Sequence, residues 1–381
     1  MTDHKKTNPH ILGTITVVIS VAVCWAIAEF FFGRQMQSIA RSDAMEPGLM
    51  RYHPQLGWSL SPTWQGRHKH HDFDVAYSTD LFGFRNNGSQ SSLLPGNKTK
   101  PRIALIGDSF TFGFGVDDDE TFHAQLSAAD TKSDYINGGI PGYSTDQQYL
   151  FIKHSMDGFS IDHYILVFYL GNDLLDNPLP FPLQASRGKP FFELRDQQLY
   201  LNNIPVPKQQ KTAALQSSTL NSVLFGRELE QYSTLSSRVI QSSNLLRTLL
   251  PQQAQTDKNT INTILEQRLQ TQEQLFFALL KAIKKTTTEQ QASLTLALMP
   301  GQSFVVSPGS YSALFQDYVR IKASAMAEKL DIPVIDIAEE LATHYQPGDR
   351  WFHPNEGHLT AEGNRKVTDI ILRKFSAVST R

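Results

Sequence analysis

The chain has 381 residues, 40% hydrophobic and 19% charged, which leaves room for one large domain with insertions or for two small ones. Its 35 basic and 37 acidic side chains give a formal net charge of -2, so no basic excess exists to offset a phosphate backbone and nucleic acid is not expected as a partner. A single cysteine, Cys24, rules out an intrachain disulfide without fixing the compartment. Val23 before it is not the small residue expected ahead of a lipid-modified cysteine.

The first predicted element is the uncharged run Ile11–Ala28, apolar as far as Phe32 apart from Glu29. At about 1.5 Å per residue this run reaches the lower end of a membrane-spanning helix. Trp25 and Phe30 to Phe32 suit an interfacial aromatic belt. We expect residues 1–35 to be a cytoplasmic tail and a transmembrane anchor. Two readings compete: a signal peptide cleaved at Ala26-Ile27-Ala28, and a buried core helix. Lys5 and Lys6 before the run and Arg34 and Arg41 after it nearly balance. The short tail and long remainder favour a tail inside the cytoplasm and a periplasmic or extracellular bulk.

Residues 36–100 form a polar, turn-rich lead-in expected to pack on the domain C-terminal to it, punctuated by Ser78-Thr79-Asp80 and Gly83-Phe84-Arg85. Its stretch Arg67–Asp74 holds His68, His70 and His71, but no ligand pair of recognised spacing completes a metal set. Alternating exposed side chains on a strand or loop are expected there.

From Pro101 the pattern becomes α/β. Ile103–Ile106, Tyr164–Leu170, Ser293–Met299 and Val334–Asp336 are short apolar runs, three of them stopped by glycine or proline, as buried strands are. The stretch after Glu120, Ile261–Lys285 and Tyr311–Leu330 carry helical character. Strands alternating with helices predict a three-layer α/β/α sandwich with a mostly parallel sheet. Residues 177–255 interrupt the rhythm: three prolines open them, and Phe191–Leu201, with Asp196-Gln197 near its middle, reads as a hairpin. At the C-terminal end of a strand such an insertion reads as a lid or substrate wall, against a bland surface loop.

Gly107-Asp108-Ser109 ends the first of these strands, where a serine is exposed at the sheet's C-terminal edge. Asn137–Gly142 reads as a glycine-rich loop whose N–H groups face a developing oxyanion, and Asn172 after the next strand offers a side-chain N–H for the same charge. Glu356-Gly357-His358 precedes a helix beginning near Thr360, so His358 is a candidate base and Glu356 its orienting acid. Taken singly, each has a bland reading as a turn, a satisfied loop side chain or a helix cap. All four in order, three of them at strand exits, they point to nucleophilic catalysis.

On these residues the chain resembles the SGNH/GDSL hydrolase family. The blocks that carry the resemblance are Ile106–Val116, Asn137–Gln148, Gly171-Asn172-Asp173 and Glu356–Asn364, and they span roughly Pro101 to the C-terminus. The resemblance implies Ser109 as nucleophile, His358 as base, and Ser109, Gly142 and Asn172 as the oxyanion hole, with no cofactor and no metal. It implies a catalytic domain over residues 101–381 that cleaves small-molecule or saccharide esters. The sequence departs from the family at one position, where the usual aspartate is Glu356. Asp349 and His353 form a rival pair, disfavoured because Gly357 and the run after His358 match the block better. Two other functions remain open: O-acyl transfer to a cell-envelope polysaccharide, and a non-catalytic, membrane-tethered glycan-binding module.

Overall fold

The N-terminal apolar segment forms one helix, α1 (Pro9–Arg41). The computed structural model describes residues 9–41, 43–85, 97–183, 186–208 and 257–379. Lys5 and Lys6 and most of the insertion at 177–255 lie outside the described residues. Within α1, Thr14–Ser38 has a mean hydropathy of 2.3 and none of it is buried in the protein. It is therefore no core helix, and it is long and apolar enough to cross a membrane.

The lead-in makes five short strands, β1 (Ala44–Met45), β2 (Met50–His53), β3 (Gly57–Leu60), β4 (Gln65–Lys69) and β5 (Asp74–Ser78). β1, β4 and β5 form one antiparallel sheet, and β2 and β3 form a hairpin. The expected alternation forms on β4, but it turns one of the three histidines inward. Arg67 and Lys69 are exposed, but His68 is fully buried. Its Nε2 donates to Asp43 at 2.6 Å, and Tyr77 donates its hydroxyl to Nδ1 at 2.9 Å. Two partners for two ring nitrogens make this a satisfied core histidine.

The central sheet follows from β6 (Arg102–Gly107), β7 (Asp134–Gly139) and β8 (His163–Tyr169). The expected hairpin forms as β9 (Phe191–Arg195) and β10 (Gln198–Asn202), turning at Asp196 and Gln197, both at positive φ. β11 (Ser293–Met299) and β12 (Val334–Asp336) complete a five-stranded parallel sheet of order β12-β11-β8-β6-β7. β6 is buried throughout its length, as continuous apolar runs covered on both faces require.

Nine further helices are described: α2 (Ser109–Phe112), α3 (Phe122–Ala129), α4 (Thr145–Ser155), α5 (Asp173–Asp176), α6 (Lys258–Glu289), α7 (Gln302–Val306), α8 (Tyr311–Glu328), α9 (Ile337–His344) and α10 (Ala361–Ser379). α4, α6 and α8 pack together on one face of the sheet; α3, α9 and α10 pack on the other. The chain leaves β6 for β7 on one side and returns to β8 on the other. The strand order therefore reverses at β6, and a crevice opens beyond its carboxyl end. Ser109 begins there.

One local reading needs correction. Asn137, Gly138 and Gly139 are not loop but the last residues of β7. Their glycines serve close packing: a Cβ on Gly139 would lie 2.2 Å from the Phe112 backbone nitrogen, so α2 seats directly on the strand. The loop proper begins at Ile140 and turns at Gly142, whose φ of +81° favours glycine.

Candidate active site

The short helix α2 carries Ser109 at its first position, capped by Asp108, which accepts the Phe110 N–H at 2.9 Å. Gly107 is dictated by space, because a Cβ there would meet the Thr111 hydroxyl at 2.1 Å. The helix stops at Gly113 in the left-handed region, and the Gly113 and Phe114 N–H groups both return to the Ser109 carbonyl at 3.0 Å. Local sequence thus turns the chain sharply on either side of the serine.

Across the crevice, the loop before α10 brings His358 to it. His358 Nε2 lies 2.7 Å from Ser109 Oγ, although the two residues are 249 apart in sequence. On the other side of the ring, Nδ1 donates to Glu356 Oε1 at 2.6 Å. Glu356 Oε2 accepts the His358 backbone N–H at 3.0 Å, so both its oxygens hold the same residue. Burial pushes the Glu356 carboxyl up, but the hydrogen bonds and charge of His358 outweigh it and leave it below the usual range. An ionised acid at Nδ1 keeps the proton there and leaves Nε2 free to accept one. The imidazole is flanked by Phe110 and Phe114, with ring centroids at 4.5 and 5.0 Å.

The rival pair is not brought together. His353 Nε2 donates to the Gly115 carbonyl at 3.0 Å, and Asp349 accepts the Gln346 N–H at 2.8 Å. Asn172 lies in the cleft wall, its Nδ2 donating to Asp176 at 2.5 Å. Gly142 is not among the residues lining the cleft; its loop is tied to the lead-in, where Trp58 Nε1 donates to the Pro141 carbonyl at 3.0 Å and Tyr143 donates its hydroxyl to the Trp58 carbonyl at 2.5 Å.

The lead-in braces the other two loops as well, which sequence reasoning missed. Asp72 accepts the Asn355 and Glu356 N–H groups at 2.8 and 3.0 Å, fixing the histidine loop. Tyr77 accepts the Gly115 N–H at 2.8 Å. Arg85, only 1% exposed, bonds the carbonyls of Phe112, Gly113 and Val116 and the Asp118 carboxylate, and lies over the Tyr77 ring at 4.3 Å. In the sequence, the Gly-Phe-Arg run reads only as turn punctuation. Arg85→Met should destabilise the protein by about 3–5 kcal/mol, because it strands these acceptors in the interior. A fall in denaturation midpoint of under about 1 kcal/mol equivalent would show the loop to be held elsewhere.

His358, with Ser109 Oγ against its Nε2, lines a cleft of about 490 Å³. Phe110 and Tyr169, stacked at 4.6 Å, form one wall with Leu183. The rest of the lining includes polar side chains. Gln316, 1% exposed, accepts the Gly301 N–H at 2.7 Å and donates to Ser303 at 2.9 Å and Ser312 at 3.3 Å, presenting two fixed hydroxyls. Leu183 comes from the start of the insertion. Its next described part reaches the lead-in, with the Val206 N–H on the Pro54 carbonyl at 2.8 Å. Among the described residues no group of three or more His, Cys, Asp or Glu is placed to hold a metal ion.

No protein-family model matches the chain, and no curated protein does. Solved structures similar to it include a lipolytic protein of the G-D-S-L family from Veillonella parvula, 13% identical over 72% of this chain and 98% of that one, with a TM-score of 0.37. A lipase/acylhydrolase from Enterococcus faecalis is 14% identical over 73% and 96%, with a TM-score of 0.36. A GDSL-like lipase from Bacteroides thetaiotaomicron is 10% identical over 76% and 94%, with a TM-score of 0.38.

Proposed function

We propose that the protein is a serine esterase in which Ser109, His358 and Glu356 act as nucleophile, base and orienting acid. The observation that carries this is the unbroken line from Glu356 Oε1 to Nδ1 at 2.6 Å and from Nε2 to Ser109 Oγ at 2.7 Å. Both distances are within reach for proton transfer without rearrangement. His358 Nε2 takes the Ser109 proton as Oγ bonds to the ester carbon, and the carbonyl π pair moves to oxygen. The Ser109 and Gly142 N–H groups and Asn172 Nδ2 meet that oxyanion. The C–O bond to the alcohol breaks, and His358 returns the proton to the departing oxygen. Water repeats the sequence on the acyl-serine and releases the acid. No step calls on a cofactor or a metal.

The polar lining at Ser303 and Ser312 supports a short acyl group on a hydroxylated, small-molecule or saccharide alcohol over a long aliphatic chain. It equally suits a sugar hydroxyl that takes the acyl group in place of water, which makes O-acyl transfer the second reading. The apolar, unburied α1 supports a membrane anchor, and we place the catalytic domain outside the cytoplasm as part of the same proposal.

A fluorophosphonate should label Ser109, located by mass spectrometry, and p-nitrophenyl esters should be cleaved faster as the acyl chain shortens. An adduct on another serine, with Ser109→Ala fully active, would sink the assignment. A saccharide acceptor that diverts the acyl group from water would establish transfer. Reporter fusions after residue 60 should be active only outside the cytoplasm. The opposite pattern reverses the orientation, and a mature chain starting at Glu29 removes the anchor.

A further inference from the structure

Asn172 poses a chemical problem. A carboxamide is nearly symmetrical in shape, yet only its nitrogen end can serve an oxyanion. Turned over, it would set a carbonyl oxygen against the developing charge. Backbone position alone does not choose between the two faces.

The surroundings of Asn172 do choose. Its Nδ2 donates to Asp176 Oδ2 at 2.5 Å, one turn further along α5. Its Oδ1 is buried with no partner, so the opposite face offers nothing to hold the amide. The second N–H of Nδ2 has no partner among the described residues, and Asn172 lines the cleft. Asp176 is itself fully buried and fixed at its other oxygen, where Oδ1 accepts the Leu183 N–H at 2.7 Å. With both oxygens receiving N–H groups, an ionised Asp176 is an acceptor on both sides and tolerates only the nitrogen end of Asn172.

We propose that Asp176 is the positioning residue of the oxyanion hole, setting the face of the Asn172 amide so that an N–H meets the reacting oxygen. This rests on the esterase reading, within which it assigns a residue that no part of the motif pattern marks. Burial pushes the Asp176 carboxyl up to about 6, against the hydrogen bonds from Asn172 and Leu183 and the charge of Lys189. The two hydrogen bonds outweigh the charge of Lys189 in favouring the carboxylate. The Lys189 ammonium is fully buried and paired with Asp146, at the start of α4 just after the Gly142 loop. Lys189 and Leu183 both come from the insertion, so that segment supplies the charge and the N–H that hold Asp176.

Asp176→Asn tests this, because an amide cannot accept from Asn172 and from Leu183 at once. One of its ends must donate, and the relief available is for Asn172 to turn over. In the full-length chain in detergent at pH 8, with p-nitrophenyl acetate, kcat should fall about 30- to 300-fold while KM changes little. Adding Asp176→Asn to Asn172→Ala should cost less than about threefold more, since the two act through one contact. A full kcat in Asp176→Asn, or multiplicative losses in the double variant, would overturn the proposal.

If Asp176→Asn does not fold, the unmutated chain decides. With 15N-asparagine labelling, one side-chain amide proton should lie well downfield, vanish in Asn172→Ala, and have a geminal partner that shifts when a phosphonate occupies Ser109. An Asn172 pair at ordinary shifts would refute it. If the wild-type chain neither hydrolyses esters nor labels at Ser109, the esterase reading fails. The downfield proton still reports the Asp176 contact by itself.

Discussion

Ser109→Ala and His358→Ala should each reduce turnover by at least ~10⁴-fold, whereas Glu356→Gln should reduce it by about 10²–10³-fold. The ranking follows from the role proposed for each group. Without Ser109 there is no covalent intermediate, and without His358 the hydroxyl has no base within reach. Glu356 takes no proton; it selects the tautomer. Both its oxygens accept from His358, one from Nδ1 and one from the backbone N–H. Glutamine can supply only one acceptor. When its amino end faces the ring, Nδ1 must accept, the proton moves to Nε2, and Ser109 loses its base. The fraction of molecules in the other orientation retains activity. Asp349→Asn and His353→Ala should leave turnover little changed, because these residues bond to Gln346 and Gly115 and not to each other. Steady-state kinetics on the five folded variants checks the order. Inactive His353→Ala beside active His358→Ala would mean that the histidine loop has been assigned to the wrong residue.

The second large effect is expected at the oxyanion. Asn172→Ala should lower kcat by about 10²–10³-fold and leave KM nearly unchanged. In the proposed mechanism the Asn172 N–H meets charge that exists mainly in the transition state, so its loss should raise the barrier without weakening the ground-state complex. The variant also leaves the buried Asp176 without its Asn172 donor, so its denaturation midpoint should be measured alongside. A rise in KM at constant kcat would make Asn172 a substrate-binding residue instead.

Much of the sheet was legible because buried strands carry their own signal. Ile103–Ile106 and Ser293–Met299 are continuous apolar runs closed by glycine or proline, and β6 and β11 lie on them. The hairpin at Phe191 was readable from a polar pair between two apolar strands. The reading of Asn137–Gly139 went astray for a related reason. Glycines mark either a turn or a close approach, and the sequence does not say which. Here the neighbouring backbone of α2 demanded them inside a strand. His68 shows the same limit: a histidine in a charged stretch looks exposed until Asp43 and Tyr77 close on it.

Sequence by itself determined the α/β class, the membrane-length apolar helix, and the candidates Ser109, Gly142, Asn172, Glu356 and His358. Each of these shows in spacing, turn chemistry and motif order within a few residues. The tertiary structure decided which histidine faces Ser109 and how the amide of Asn172 is turned. It also decided that Asp72 and Arg85 of the lead-in, and Lys189 of the insertion, brace the site. These are contacts between residues far apart in the chain, such as Asp72 with Glu356 and Arg85 with Val116. Local pattern records how the backbone folds on itself. Which buried polar group finds which partner is settled only when packed layers exclude water and each donor and acceptor must be satisfied from within.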